Sequence, residues 1–326
     1  MFKGIFIMDP YFYENTYGIE EHKDIAKLVE LYAPLYTKTS IMENPEVLSD
    51  VDFIFSGWYP PKMDEKFLSF APSLKAVFYA GGSIRPIVTE AFWDRGIRIS
   101  SAYRLNAIPV SEYAMSQILF CLKRGWYFVR MIKEGTQVTM QEPVPGTYHS
   151  VVGIVSLGQI GRRVCKLLQA FDVDVIAYDP FVSQETADEL KVTLCTLEEL
   201  FQKSDVVSLH APVLKETEGM VTGSHIASMK QNASLINTAK REIVRENEMV
   251  EILRQRQDLQ VFIDGHPGNL SSLALLPNVI LTPYVAGARD KECRRLGRFM
   301  TDELQRYMQG ELLNGEITRE QAVNLA

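Results

Sequence analysis

The stretch "VVGIVSLGQIGRRV", residues 151–164, decides the fold. It begins as a β-branched apolar run, passes through a turn containing Gly158 and Gly161, and continues with the apolar spacing of a helix. Gly158 would let the backbone approach a bound phosphate closely, and Gly161 would let the helix pack closely on the strand. The stretch therefore predicts a strand, a tight turn and a helix whose N-terminus can hold an anion.

One position of this turn departs from the pattern G-x-G-x-x-G, because Ser156 stands where the first glycine would make the tight turn. If that position needs a positive φ, a serine there costs on the order of 1 kcal/mol. Serine is small enough to leave the site open, so we expect the turn still to bind a dinucleotide. The residues expected around the coenzyme pyrophosphate are Ser156, Gly158, Gln159, Ile160 and Gly161.

An acidic residue completes the nucleotide-binding pattern. The strand predicted after the helix ends at Asp179, about twenty residues beyond the turn, as dinucleotide-binding folds require. A carboxylate at this point accepts hydrogen bonds from ribose hydroxyls and repels a 2′-phosphate. We therefore expect NAD as the coenzyme, with NADP disfavoured.

Apolar runs alternate with helical patterns along the rest of the chain, which is typical of parallel sheets covered by helices. The predicted strands are 5–8, 52–56, 76–80 and 97–100 in the first part, then 151–155, 173–178, 205–210, 233–237, 260–264 and 278–282. Helices are predicted over 109–130 and 290–309, and along a face formed by Ile25, Leu28, Val29 and Tyr32. The fold class predicted is α/β, with two doubly wound parallel-sheet domains.

Composition narrows the function classes. The net charge of −7 disfavours nucleic-acid binding, which needs a basic face. The four cysteines lack metal-ligand spacing, so we expect neither a metal site nor a disulfide framework. The first residues do not resemble a signal peptide, and no apolar run is long enough to span a membrane. We expect a cytoplasmic protein with no membrane partner.

Four further phrases, together with the glycine turn, resemble the D-isomer-specific 2-hydroxyacid dehydrogenase family, which includes phosphoglycerate, formate and D-lactate dehydrogenases. They are "RGIRISSAYRLNAIPVSEYAMSQIL" (95–119), "DVVSLHAPVLKETEGM" (205–220), "SLINTAKREIV" (234–244) and "LPNVILTPYVAG" (276–287). The resemblance implies an NAD-binding Rossmann domain, residues 105–290, inserted into a discontinuous flavodoxin-like substrate domain, residues 1–104 and 291–326. It also implies a homodimer that transfers hydride between nicotinamide and a small hydroxy or oxo acid or a related carbonyl.

The resemblance assigns further residues to ligands. Those implied to contact the coenzyme are His210, Ala211 and Pro212 beside adenine and ribose, Thr217 shortly after them, Thr238 and Ala239 at the nicotinamide ribose, and Asp264 at the carboxamide. Gly81, Gly82 and Ser83 are similar to a loop whose backbone N–H groups bind the carboxylate of a small-molecule substrate.

The three positions that carry the family's chemistry are all altered here. Lys240 replaces an arginine that grips the substrate, and it keeps the charge but loses the planar two-pronged fit. Arg241, which replaces a glycine, is the alternative residue for this role, although its side chain should point elsewhere. His266 is the nearest equivalent of a glutamate in a shortened loop, and Tyr284 replaces the acid-base histidine. Loss of a positioned acid or base typically costs a factor of about a hundred to ten thousand in rate.

Two interpretations of these changes stay open. In the first, catalysis persists because Tyr284 donates a proton beside Lys240, an arrangement similar to the Tyr and Lys pair of short-chain dehydrogenases, or because His266 becomes the acid-base group with Tyr284 orienting it. In the second, the chain is a catalytically inactive NAD-binding homologue with a structural or regulatory role.

Overall fold

The structure is a computed structural model, and it describes residues 1–265 and 271–323, except for the side chain at 271. The chain divides into two compact units. One comprises Met1–Ala107 together with Ala288–Ala326, and the other comprises Ile108–Gly287. Each unit contains a parallel β-sheet with helices, which confirms the predicted α/β fold class.

The first unit has a five-stranded sheet in the order β2-β1-β3-β4-β5. Its strands are β1 (Lys3–Ile7), β2 (Glu30–Leu31), β3 (Phe53–Ser56), β4 (Ala76–Tyr79) and β5 (Arg98–Ser101). Its first helices are α1 (Pro10–Thr16), α2 (Ile19–Leu28), α3 (Ser40–Glu43), α4 (Glu65–Phe70) and α5 (Glu90–Asp94), with a 3₁₀ turn at Pro45–Asp50. All of the strands pair in parallel, so their carboxyl ends lie along one edge.

The helical face predicted around Ile25 extends too far. Helix α2 ends at Leu28, because Val29 has extended backbone with ψ 154° and the next two residues pair with β1 as β2. Val29 is nevertheless fully buried, so its apolar character serves the sheet rather than the helix.

The single helix predicted over 109–130 is also wrong, because two helices occupy this region. They are α6 (Tyr103–Leu122) and α7 (Gly125–Lys133). The break falls at Arg124, whose φ of 50° lies in the left-handed region. The guanidinium of Arg124 donates to the carbonyl oxygen of Pro143 over 2.9 Å and lies 3.9 Å from the ring centroid of Tyr127. These contacts stabilise a turn that apolar spacing alone does not predict.

The second unit has a seven-stranded parallel sheet in the order β12-β11-β10-β9-β6-β7-β8. Its strands are β6 (Ser150–Val155), β7 (Val173–Tyr178), β8 (Thr193–Leu194), β9 (Val206–Leu209), β10 (Ser234–Asn237), β11 (Gln260–Asp264) and β12 (Val279–Thr282). The helices between them are α8 (Gln159–Leu168), α9 (Gln184–Leu190), α10 (Leu197–Lys203), α11 (Gly223–Ala227), α12 (Glu246–Gln255) and α13 (Ser271–Ala274), with a 3₁₀ turn at Arg241–Ile243. Two more helices, α14 (Lys291–Met308) and α15 (Arg319–Ala322), belong to the first unit.

The turn between β6 and α8 packs as the glycine pattern predicts. A Cβ added to Gly161 would lie 2.0 Å from the carbonyl oxygen of Ser156, so only glycine lets α8 come this close. Below the turn, Val152, Ile154 and Val164 are fully buried in the same apolar cluster. The sheet and helix thus hold the turn rigidly.

Candidate active site

The β6–α8 turn lies at a topological switch of its sheet, because β6 pairs with both β7 and β9. Ligands of open α/β sheets bind outside the carboxyl ends of the strands at such a point. Ser156 has a φ of 75°, which is the left-handed conformation that the missing glycine would favour. A Cβ added to Gly158 would meet no atom within 4 Å, and no side chain caps α8 there. The turn leaves open space in front of the helix N–H groups.

Asp179 follows β7 and holds the same turn. Its Oδ2 accepts from the N–H of Leu157 over 2.8 Å, and its Oδ1 accepts from the N–H of Phe181 over 2.9 Å. Asp179 also lines a cleft of about 590 Å³ together with Pro180 and Thr196. The far wall of this cleft comes from β8 and α10. Strand β8 is only two residues long, which is too short for an apolar run to predict it, so the residues of this wall are not among the predicted coenzyme contacts.

Two buried polar atoms beyond β9 and β10 lack hydrogen-bond partners within the described part of the chain. They are Nδ1 of His210 and Oγ1 of Thr238. The other imidazole nitrogen of His210 lies 3.0 Å from Oγ of Ser208, and burial lowers the pKa of His210 to about 4. Buried polar atoms are normally paired, so these two call for a polar ligand at the carboxyl edge.

Other predicted coenzyme residues shape the loops around these atoms. Thr217 closes the turn after Pro212 by donating from Oγ1 to the Pro212 carbonyl oxygen over 2.5 Å and accepting from the N–H of Leu214 over 2.8 Å. Ala211 is buried, and the N–H of Ala239 donates to Oδ1 of Asn237 over 3.0 Å. These contacts fix the backbone around the two unpaired atoms, Nδ1 of His210 and Oγ1 of Thr238.

Asp264 organises the loop after β12. Its Oδ1 accepts from Oγ1 of Thr282 over 2.6 Å and from the N–H of Val285 over 2.9 Å, and its Oδ2 accepts from the N–H of Ala286 over 2.8 Å. The carboxylate is 2% exposed, so these charge-assisted bonds form away from water. Sequence comparison with the family suggested a ligand contact for Asp264 but did not predict this loop-holding network.

Lys240 and Tyr284 meet on these ordered loops. Lys240 follows β10 and Tyr284 follows β12, and Nζ of Lys240 donates to Oη of Tyr284 over 2.6 Å. The same ammonium lies 4.6 Å from the centroid of the tyrosine ring. Tyr284 has a φ of 53°, and the residue is 39% exposed to solvent.

Arg241 stands apart from this pair. The guanidinium of Arg241 forms an ion pair with Glu246, with Nε donating to the carboxylate over 2.8 Å. Lys240 rather than Arg241 therefore presents its charge to Tyr284. His266 lies outside the described residues.

The predicted substrate loop belongs to the first unit. Oγ of Ser101 donates to the carbonyl oxygens of Gly81 and Gly82 over 3.1 and 2.9 Å, which fixes the loop after β4. Across the described residues, the backbone N–H groups of Gly82 and Ser83 donate no hydrogen bond to protein. Such groups are suited to binding a carboxylate.

The family model "D-isomer specific 2-hydroxyacid dehydrogenase, NAD binding domain" matches residues 115–286. The chain belongs to this dehydrogenase family. The match confirms NAD as the coenzyme, and the open Gly158 turn and the unpaired atoms of His210 and Thr238 fit such a ligand. No ligating cluster of His, Cys, Asp and Glu occurs in residues 1–265 and 271–323, and no helix described there is long and apolar enough to cross a membrane.

Similar proteins include a D-3-phosphoglycerate dehydrogenase of Methanocaldococcus jannaschii, 27% identical over 300 residues, which covers 89% of this chain and 56% of that protein. A glyoxylate reductase of Korarchaeum cryptofilum is 28% identical over 314 residues and 92% of each chain. The chain spans about half the length of the Methanocaldococcus jannaschii enzyme and of the D-3-phosphoglycerate dehydrogenase of Archaeoglobus fulgidus. The crystal structure of apo D-mandelate dehydrogenase of Rhodotorula graminis has a TM-score of 0.81 at 19% identity over 98% of each chain, which shows a shared fold.

Proposed function

We propose that the protein is an NAD-dependent oxidoreductase that interconverts a small 2-hydroxy acid and the corresponding 2-oxo acid, or a related alcohol and carbonyl. The observation that carries the proposal is the 2.6 Å hydrogen bond between Lys240 and Tyr284 in the NAD-binding unit. It places a proton donor and a fixed positive charge side by side on loops at the carboxyl edge of the sheet. Relatives named as D-3-phosphoglycerate dehydrogenase and glyoxylate reductase support a substrate of this class.

The coenzyme residues have complementary roles. The α8 N-terminus, with Gly158 and Ser156, would hold the pyrophosphate, and Asp179 would accept the adenosine ribose hydroxyls. His210 and Thr238 would supply polar contacts along the dinucleotide, and NADH, when bound, supplies the hydride. Because Asp179 presents a carboxylate at the ribose, NADP binds more weakly.

Tyr284 would act as the proton donor during reduction. A tyrosine hydroxyl is protonated at neutral pH. In the bond with Lys240 the Tyr284 oxygen is the acceptor, so the tyrosine hydroxyl would be the donor to the substrate carbonyl oxygen in the complex. The proton converts that oxygen to a hydroxyl as the carbonyl carbon is reduced. The Lys240 ammonium stabilises negative charge on the tyrosine oxygen after transfer.

His266 is the competing acid-base group, with Tyr284 in an orienting role. The two assignments differ in the effect of substituting the histidine. His266→Gln abolishes turnover if the histidine is the acid and leaves proton transfer intact if Tyr284 is the acid.

The experiment is a turnover assay with NADH and a panel of 2-oxo acids that includes pyruvate, glyoxylate and 3-phosphohydroxypyruvate. We expect turnover of at least one of these acids, lost in Tyr284→Phe. Tyr148→Phe, which changes another exposed tyrosine, serves as the matched control. Saturable NADH binding without turnover of any acid in the panel would contradict the proposal and favour the inactive, regulatory homologue instead.

The same proposal assigns coenzyme binding to one unit and substrate binding to the other. Residues 105–290 act as the coenzyme domain, and residues 1–104 and 291–326 act as the substrate domain. Gly81, Gly82 and Ser83 bind the substrate carboxylate there through backbone N–H groups, two of which are free of protein acceptors in the described structure.

We propose that the protein works as a homodimer through a surface around α7. Helix α7 has no buried residue although its sequence, "GWYFVRMIK", is largely apolar. On this helix Ile132 is 71% exposed and Val129 is 38% exposed. Apolar side chains grouped in this way mark an association surface. The four cysteines are free thiols, which supports a reducing, cytoplasmic location.

A further inference from the structure

Strand β5 is an edge of the first sheet, and one segment of the chain covers it. The segment comprises residues 314–323, and we name it the edge segment. The N–H of Ser101 donates to the carbonyl oxygen of Gly315 over 2.8 Å, and the N–H of Ile317 donates to that of Ile99 over 3.1 Å. An antiparallel bridge lies between these two bonds. The edge segment therefore pairs backbone groups that an edge strand would otherwise leave open.

Charged side chains hold the beginning of the edge segment. Glu303 on α14 is fully buried, and its carboxylate accepts from the N–H groups of Asn314 and Gly315 over 3.0 and 2.9 Å. Arg98 on β5 donates from Nε and Nη2 to the carboxylate of Glu316, over 2.6 and 2.7 Å. A two-pronged pair of this kind fixes direction as well as distance. The first half of the segment is thus fixed to both β5 and α14.

A second set of contacts holds the end of the edge segment. The guanidinium of Arg319, at the start of α15, pairs with Asp94 on α5 over 3.0 Å and also with Glu90 on the same helix. Ile317 is 2% exposed and belongs to the same apolar cluster as Ile84, which lies on the loop after β4. This half of the segment is therefore anchored to α5 and shares an apolar core with that loop.

The loop after β4, which is proposed to bind the substrate carboxylate, is linked to the edge segment through Ser101. The N–H of Ser101 donates to Gly315 of the segment, and its Oγ donates to the carbonyl oxygens of Gly81 and Gly82. The two side-chain bonds use carbonyl oxygens of the loop and none of its N–H groups. One residue of β5 thus connects the edge segment to the backbone that is proposed to hold the anion.

Arg85 makes a second link, three residues beyond Gly82. Its Nη2 donates to the carbonyl oxygen of Val323, directly after α15, over 2.6 Å. Its own N–H donates to Oγ of Ser83 over 3.4 Å, so Arg85 belongs to the same short turn as a residue proposed to bind the carboxylate. A hydrogen bond from a guanidinium is stronger than one between neutral groups. A shift of Val323 would therefore be passed to the loop through Arg85.

We propose that the edge segment positions the loop after β4 for carboxylate binding, and that Arg85 is the positioning residue through which it acts. Arg85 works through the backbone of the loop rather than on the substrate. The affinity for the acid then also depends on Arg319, whose pairs with α5 hold Val323 in place. The inference rests on the proposed function for the identity of the ligand, a small 2-oxo acid, and adds a residue that supports the binding site without being part of it.

The test measures carboxylate binding separately from turnover. The full chain with NADH is titrated calorimetrically with oxamate, a pyruvate analogue that NADH does not reduce. We expect Arg85→Met to raise the dissociation constant of oxamate by about threefold to tenfold, because the loop loses the hydrogen bond that orders it. Arg85→Lys keeps a donor for Val323 and should restore most of the affinity. In the turnover assay, Arg85→Met should raise KM for the 2-oxo acid by a similar factor and leave kcat and NADH affinity unchanged.

Arg319→Met distinguishes positioning from a direct contact of Arg85 with the acid, because Arg319 pairs with α5. We expect it to raise the dissociation constant of oxamate by a factor similar to that of Arg85→Met. The double variant should bind oxamate no more weakly than either single variant, since both substitutions break the same chain of contacts. Arg298→Met removes a similarly exposed arginine that pairs with Asp24, and as the control it should leave oxamate affinity unchanged.

Four results would overturn the inference: no oxamate binding by the wild type, oxamate binding unchanged in both single variants, an effect of Arg85→Met without one of Arg319→Met, or additive losses in the double variant. Turnover of a 2-oxo acid together with any of these results would leave the proposed oxidoreductase intact. Oxamate binding that both variants weaken, without turnover of any acid, would support the positioning role and contradict the proposed function.

Discussion

Lys240 and Tyr284 are joined by a 2.6 Å hydrogen bond although they lie 44 positions apart in the sequence. The order of the strands explains why Lys240 and Tyr284 are close, because β10 and β12 both pair with β11 and their carboxyl ends lie at the same edge of the sheet. The loop of Tyr284 is then held by three hydrogen bonds to Asp264. The pair is thus a product of sheet order and one buried carboxylate.

Breaking this pair should reduce catalysis without affecting coenzyme binding. We expect Lys240→Met to lower kcat by about tenfold to a hundredfold, and Tyr284→Phe by about a hundredfold or more, because both act on proton transfer. The double variant should be little slower than Tyr284→Phe alone, since the two residues act as a unit. Steady-state kinetics and NADH titration measure these effects. Additive losses would show that the two side chains work independently.

Replacing Ser156 should relieve backbone strain. Because its φ is 75°, Ser156→Gly should stabilise the folded protein by up to about 1 kcal/mol and leave NADH affinity equal or higher. Ser156→Ala retains the strain and is the matched control, with no gain expected. Urea unfolding and fluorescence titration with NADH provide the two measurements. A loss of stability in the glycine variant would contradict the strain argument.

Asp179 should control the choice between NAD and NADP. Asp179→Asn keeps an oxygen acceptor for the Leu157 N–H but removes the negative charge that faces a 2′-phosphate. We expect the ratio of the NADP and NAD dissociation constants to fall by about tenfold or more. Asp205→Asn, a carboxylate paired with Lys230 elsewhere in the unit, is the control and should leave the ratio unchanged. An unaltered ratio in Asp179→Asn would exclude a charge-based preference.

His210 should make stability depend on pH. Burial lowers its folded pKa from 6.5 to about 4, so between these values the unfolded chain binds the proton and the folded protein does not. The stabilisation of the folded protein by the neutral imidazole is therefore fully present above pH 6.5. It is lost as the pH falls toward 4, which lowers the free energy of unfolding by up to about 3 kcal/mol. Urea unfolding of the wild type and His210→Gln from pH 4 to 8 tests this. Parallel curves for the two proteins would argue against a buried neutral histidine.

The apolar surface around α7 should set the oligomeric state. Ile132→Asp places a charge on the most exposed large apolar residue of that helix, and we expect it to convert the homodimer to a monomer. Sedimentation velocity measures the mass, and circular dichroism checks that the fold is retained. Leu312→Asp, at an exposed apolar position of the first unit, is the control. A wild-type protein that sediments as a monomer would refute the proposal.

The strands were predictable because they read as apolar runs, and most of them are buried on both faces, with β7 and β12 as the partly exposed exceptions. All ten predicted runs coincide with strands of the structure to within a few residues. The two strands without a prediction, β2 and β8, are each only two residues long, too short for periodicity to register. The helix break at Arg124 was not predictable from apolar spacing, because it depends on contacts of Arg124 with Pro143 and Tyr127.

The candidate site was less predictable than the sheet. The glycine turn and Asp179 carry their chemistry in local spacing, so the sequence indicated them directly. The 2.6 Å contact of Lys240 with Tyr284 and the pairing of Arg241 with Glu246 depend on side-chain directions that no local pattern encodes. Residue types could suggest the pair, but only the folded loops give its distance.

The hydrogen bonds of Asp264 hold the backbone of the loop after β12 independently of the side chain at position 284. The carboxylate binds the hydroxyl of Thr282 and the N–H groups of Val285 and Ala286, and none of these bonds involves the Tyr284 side chain. The loop backbone at position 284 is therefore held in place whichever side chain this position carries. Histidine is among the residues that tolerate a positive φ. The same loop can therefore carry an imidazole in place of the phenol while its hydrogen bonds to Asp264 stay unchanged.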